Sequence, residues 1–154
     1  MSHGGSAPPG LATSGAREVS MSIPVAPEME IVATAQAAAL GEYLGLSRDK
    51  IDEVKLAIVE ACINAFEHAQ TRDDRVHLTF RVGREPDGPE FLEVEVFDQG
   101  KGFDQRSIEL PSLEKTFGGG KKRGWGLQII RSLMDSVAIT SGDWGTRILM
   151  RQYK

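Results

Sequence analysis

Two runs of strict alternation constrain this chain more than anything else in it. Arg75 to Gly83 sets Val76, Leu78, Phe80 and Val82 against Arg75, His77, Thr79 and Arg81, and Phe91 to Phe97 repeats the habit after Pro86, Asp87, Gly88 and Pro89. Successive side chains of a strand point to opposite faces, so each run is a ribbon with one apolar side. The two read as antiparallel strands joined by a long hairpin turn. His77 is then an exposed strand residue and not a ligand. A chain built on such a hairpin cannot wind into a doubly wound parallel sheet, which needs a helix between every pair of strands.

The remaining segments fall in around that hairpin. Val19, Met21, Ile23 and Val25 alternate with Glu18, Ser20 and Ser22, which predicts a half-exposed strand, and Pro24 marks it as an edge strand. Glu28 to Leu44 is Ala-rich, with Met29, Val32, Leu40 and Leu44 at helical spacing and Gly45 where a C-cap belongs. Ser47 caps a second helix that runs to about Gln70, and Gly124 to Asp135 has helical spacing in Leu127, Ile130, Leu133 and Met134. Strands Val137 to Ser141 and Thr146 to Arg151 flank a turn at Gly142 to Gly145. The predicted fold is an α/β (α+β) two-layer sandwich, a mostly antiparallel mixed sheet with three helices on one face.

Length and composition set the outer limits. A chain of 154 residues with 40% hydrophobic content suits one domain, expected over residues 18–154. Residues 1–17 hold mostly Gly, Ser, Pro and Ala and are expected to form a disordered tail. A net charge of -4 argues against a nucleic-acid surface, which needs clustered Lys and Arg. No apolar run reaches the roughly 20 residues of a membrane span, and the start lacks the basic and apolar regions of a signal peptide. One cysteine, Cys62, lies mid-helix among apolar neighbours; it reads as a buried small hydrophobe and fits a reducing cytoplasm.

Three stretches carry candidate chemistry. In Lys55 to Gln70, residues Glu60, Asn64 and His68 drift by only about 40° per step and form one polar stripe on an otherwise apolar helix. A solvated face is the commoner reading of such a stripe. The small Ala61, Ala65 and Ala69 beside it would admit a ligand, or equally close helix packing. Asp98-Gln99-Gly100-Lys101-Gly102 follows a strand end, where a carboxylate could accept a hydrogen bond from an exocyclic amino group or simply shape a turn. Phe103 to Arg123 is a long connection of the kind that forms lids. It ends in Gly118-Gly119-Gly120-Lys121-Lys122-Arg123-Gly124-Trp125-Gly126 and enters a helix whose free N–H groups would suit phosphate. This is neither a P-loop nor a dinucleotide fingerprint, since Gln105 stands where a third glycine would be needed.

With all three in view, the chain resembles the Bergerat-fold ATP-binding proteins. Glu60-Ala-Cys-Ile-Asn64-Ala-Phe-Glu-His68 is similar to their N box, Asp98-Gln-Gly100-Lys-Gly102 to their first glycine box, and Arg123-Gly124-Trp125-Gly126-Leu127 to their second. Within that superfamily, the short form and the ending Leu133-Met134-Asp135-Ser136-Val137 with Gly145-Thr146 resemble the anti-sigma-factor serine/threonine kinases. The resemblance covers about Glu18 to Lys154.

The resemblance implies ATP and Mg²⁺ as cofactors, with Asn64 as the protein ligand of Mg²⁺, Asp98 as the adenine reader and Thr146 supporting the base. It implies that Gly100 and Gly102 shape that pocket, that Arg123, Gly124, Trp125 and Gly126 close on the phosphates, and that Glu60 is the general base. His68 would order the helix end. The implied partners are a STAS-type anti-sigma-factor antagonist and a sigma factor, with room for a homodimer and no direct contact with nucleic acid or membrane. One departure stands out: a basic residue of the first helix reaches the partner in the best-known members, yet Glu28 to Gly45 holds neither Lys nor Arg. A kinase acting on the antagonist and a non-catalytic ATP-binding module that sequesters a partner therefore both remain open.

Overall fold

The computed structural model describes residues 17–67, 73–100 and 125–154. Among these, the elements run β1 (Arg17–Pro24), α1 (Glu30–Leu44), α2 (Arg48–Glu67), β2 (Arg75–Arg84), β3 (Glu90–Asp98), α3 (Trp125–Leu133), β4 (Ser136–Gly142) and β5 (Gly145–Tyr153). The strands form one sheet in the order β1-β2-β3-β5-β4, and every pairing is antiparallel. β1 is the edge strand that Pro24 announced, and it begins at Arg17, which pairs with Val82.

The helices occupy one face. Val76, Leu78, Phe80, Val94, Val96, Ile148 and Met150 from the sheet meet Ala33, Ala37, Val54, Ile58, Ala61, Leu127 and Ile130 in a single buried core. The period-two runs supply one side of this core and the period-3.6 runs the other. Ser47 caps α2 through its Oγ, which accepts from the Lys50 amide at 3.2 Å. Gly45 ends α1 at φ 84°, where its N–H meets the Glu42 and Gly41 carbonyls. α1 differs from expectation at Val32: Ala33, Thr34, Ala37 and Gly41 point inward, and Met29, Leu40 and Leu44 join the core as expected, whereas Val32 is 46% exposed. Small residues sit inside because α1 lies close against α2, so close that a Cβ at Gly41 would stand 2.8 Å from Ile51 Cγ1.

The opposite sheet face is polar, but not all of it is wet. Glu93 is 1% exposed because its register partners Arg81 and Arg151 close over it, donating to its carboxylate at 3.1 and 2.7 Å. Arg151 also binds Glu85 and lies 3.8 Å from the Phe91 ring centroid. The two guanidiniums offset the desolvation cost that an unpaired carboxylate would carry there.

Cys62 is buried on α2, and burial, with the nearby Glu30 charge as a second cause, pushes its thiol up to about 12 from an ordinary 9.0. Both states keep this proton below pH 9, so it contributes no pH dependence there. Above that, the unfolded thiol ionises while the folded one does not, and stability falls as pH rises, by up to about 1.4 kcal/mol per unit. Urea unfolding between neutral pH and about pH 10 should show this slope in the wild type and a shallower one in Cys62→Ala.

Candidate active site

The long side-chain contacts fix which way the helices run. At the start of α2, Lys50 Nζ donates to the Tyr153 carbonyl at 2.7 Å, and the Gln152 amide donates to Glu53 at 2.8 Å, so this end lies over the end of β5. The other end of α2 therefore lies toward the start of β5 and the end of β3. α3 runs back along it, since Gly126 at its start lies beside Glu60 while Asp135, just past its end, donates its N–H to Gln152 Oε1 at 3.1 Å.

One end of the sandwich thus gathers most of the residues singled out in the sequence. Glu60 and Asn64 are half-buried on the flank of α2 that faces α3. A Cβ built on Gly126 would stand 3.2 Å from Glu60 Oε2, so the glycine lets the start of α3 approach the carboxylate. Trp125, the first residue of α3, is half-buried there too. Asp98 ends β3 at 4% exposure, and its Oδ1 accepts from the Gly100 amide at 3.0 Å. That bond is the turn that an Asp-x-Gly sequence favours, and it fixes the carboxylate in a dry setting. Thr146 is the register partner of Asp98 on β5 and is buried. Gly102, Arg123, Gly124 and His68 lie outside the described residues, as does the Phe103 to Arg123 connection.

Ser141 escaped the sequence as a contributor to this end, and so did the contact that Gly145 makes there. Ser141 pairs in register with Thr146 across the β4–β5 turn, and their hydroxyl oxygens are 3.0 Å apart. The hydroxyl beside Asp98 is thereby held by a second one. Only the register of that hairpin could have revealed the pair. Gly145 has φ 132°, and a Cβ there would fall 1.9 Å from the Asp98 carbonyl oxygen. Backbone approaches backbone here with no flexible side chain to yield. Gly145→Ala should therefore cost on the order of 3 kcal/mol of stability and loosen the end of β3, read as a lower melting temperature together with weaker nucleotide binding.

The arrangement offers a dry carboxylate beside paired hydroxyls at the strand ends, and a second carboxylate with an amide one turn further on, facing a helix N-terminus. No group of three or more His, Cys, Asp or Glu able to hold a metal occurs among the described residues. Asn64 brings an amide oxygen to the same stripe as the Glu60 carboxylate, oxygen donors of the kind that a hard cation accepts.

Comparison with known proteins places this end in a family. Residues 23–152 match the model of the histidine kinase-like ATPase domain. The serine-protein kinase RsbW of Bacillus licheniformis is 31% identical over 139 residues, covering 88% of this chain and 84% of that protein. The RsbW of Bacillus subtilis strain 168 is 29% identical over the same shares. The crystal structure of the RsbU and RsbW domains of Rv1364c from Mycobacterium tuberculosis superposes with TM-score 0.62 at 18% identity, over 88% of this chain and 32% of that one, a likeness of fold. With Glu60, Asp98, Gly126 and Thr146 at one end of an antiparallel sandwich and its match spanning nearly the whole chain, this protein belongs to the histidine kinase-like ATPases and, among them, to the RsbW group of serine-protein kinases.

Proposed function

We propose that this chain is an ATP-dependent serine/threonine kinase that acts as an anti-sigma factor, phosphorylating a small STAS-type antagonist and sequestering a sigma factor. The observation that carries the reading is the convergence of Glu60, Asn64 and the start of α3 with the Asp98–Thr146 pair at one end of the sheet. The serine-protein kinase activity of the RsbW relatives agrees with it.

In this reading the adenine amino group donates to Asp98, whose carboxylate is held ready by the Gly100 amide, and Thr146 with Ser141 supplies hydroxyls beside it. The N-terminus of α3 faces the phosphates through Trp125 and Gly126, with Arg123 and Gly124 carried over from the resemblance, as is Gly102 for the adenine pocket. Asn64 would hold Mg²⁺, which when bound neutralises phosphate charge. Glu60 takes the proton of the antagonist's serine or threonine hydroxyl as its oxygen forms the bond to the γ-phosphorus. The bond to the bridging oxygen breaks in the same displacement, and ADP leaves with that electron pair. The cytoplasm is the fitting compartment; no described helix is long and apolar enough to cross a membrane. A homodimer accords with the same reading.

The rival, an ATP-dependent binding module without chemistry, is favoured by α1, which carries no Lys or Arg from Glu30 to Leu44. Incubation with labelled ATP and the antagonist domains of the same cell separates the two. Label on an antagonist serine or threonine is expected. ATP-dependent capture of a regulator with no label on any antagonist would overturn the kinase.

A further inference from the structure

Three polar side chains stand in a row across one end of the sheet. Asp98, Thr146 and Ser141 are register neighbours on β3, β5 and β4. Each lies two positions from a core residue of its own strand, Val96, Ile148 and Ile139 respectively, so the period of two turns all three toward the face that the helices cover. Thr146, in the middle, is 3% exposed. Its hydroxyl oxygen lies 3.0 Å from Ser141 Oγ, and Ser141 Oγ lies 3.5 Å from the Gly145 carbonyl oxygen. An O–H···O bond is best near about 2.7–2.8 Å and is weak at the longer of these separations, so Thr146 is the better acceptor for the Ser141 proton. A hydroxyl has only one proton to give, and a Thr146 oxygen that accepts from Ser141 keeps its own for another acceptor.

We infer that Ser141 is a positioning residue that sets base specificity: it donates to Thr146, and the Thr146 hydroxyl gives its own proton to the unprotonated ring nitrogen beside the amino group of adenine. The row then runs in one direction, from Ser141 to Thr146 to ring nitrogen N1, while the neighbouring N6 amino group donates to Asp98. Guanine offers a carbonyl oxygen and an N–H at the same two places. It would set an acceptor against the Asp98 carboxylate and a donor against the Thr146 proton, and polar groups left unmet in this way reject the wrong base. Without Ser141 the Thr146 hydroxyl is free to turn and accept, and its part of that selection is lost. Bonds aligned head to tail also polarise one another, which strengthens the contact to N1 in a dry setting. The inference rests on the adenine role proposed for Asp98 and Thr146, and it adds the residue that gives their pocket its polarity.

The test is a calorimetric titration of the full chain with three nucleotides: ATP, 1-deaza-ATP, which carries C–H in place of N1, and purine riboside triphosphate, which keeps N1 and lacks the amino group. Ser141→Ala should weaken ATP by roughly three- to ten-fold, the worth of one hydrogen bond. It should weaken purine riboside triphosphate by the same factor and leave 1-deaza-ATP unchanged, because the contact through which Ser141 acts is absent there. Ser141→Thr and Ser141→Val share a shape and differ in the hydroxyl, so they separate the proton from the packing even where alanine loosens the hairpin. The first should bind ATP like the wild type and the second like Ser141→Ala. Unchanged ATP affinity in Ser141→Ala and Ser141→Val would overturn the inference. So would an equal loss on ATP and 1-deaza-ATP, which marks Ser141 as a strut of the hairpin alone. A wild type that binds none of the three nucleotides would overturn the adenine reading itself, an outcome distinct from either of these.

Discussion

Asp98→Asn should weaken ATP binding by about 10²- to 10³-fold, the loss expected when a buried charge-assisted acceptor becomes an amide. The effect is large because the site is dry: Asp98 is 4% exposed, and the Gly100 amide already engages Oδ1. A flipped asparagine would present N–H₂ either to the Gly100 N–H or to the adenine amino group, and a donor facing a donor gives no bond. Because Asp98 also shapes the turn, calorimetry with ATP is paired with a thermal melt. A folded variant that binds ATP as tightly as the wild type would remove the adenine role from Asp98 and leave it a turn residue. Thr146→Val offers a milder comparison at the same place, since it removes one hydroxyl of the Ser141–Thr146 pair and no charge.

The elements themselves were legible in the sequence because their periods are local. The β2–β3 hairpin follows from alternation, the end of α1 and the start of α2 from Gly45 and Ser47, and the exposed edge from Pro24. What stayed hidden depends on register and on contact across elements. Glu93 reads as a solvent charge in the alternating run, yet strand pairing sets it between Arg81 and Arg151 and takes it out of water. Val32 fits a helical core pattern, but the close approach of α1 to α2 reserves the inner face for Ala33, Ala37 and Gly41. Gly145 looks like any turn glycine until the Asp98 carbonyl is placed against it. At the site, the stripe of Glu60 and Asn64 was visible from spacing alone. That it faces the start of α3 and not solvent needed the packing of α2 on α3. The same packing explains why the polar stripe does not read as an ordinary wet face: Ala57 and Ala61 beside it are fully buried, so Glu60 sits at the edge of the core.

Glu60→Gln should leave nucleotide bound and nearly abolish transfer, and of the expected effects it is the one that separates a kinase from a binding module. Glutamine keeps the length and the helix preference of glutamate, so α2 and its contact with Gly126 should persist. The proposed adenine pocket draws on β3, β4 and β5, whereas Glu60 lies on α2, so ATP affinity should stay close to that of the wild type. What the amide loses is the capacity to take up a proton. A serine hydroxyl must shed its proton as it attacks, and without a base within reach the rate falls by roughly 10²- to 10⁴-fold. The decrease should appear in kcat, with the KM for ATP little changed, because the interaction lost is one made in the transition state. Glu60→Asp is the informative companion: the carboxylate remains but withdraws by one methylene, so a part of the rate should return if proton transfer is what the residue does. Single-turnover transfer of labelled phosphate to the antagonist measures both variants. Equal rates for wild type and Glu60→Gln would move the base elsewhere. Equal partner binding with no transfer by any of the three proteins would leave the ATP-dependent binding module as the function of the fold.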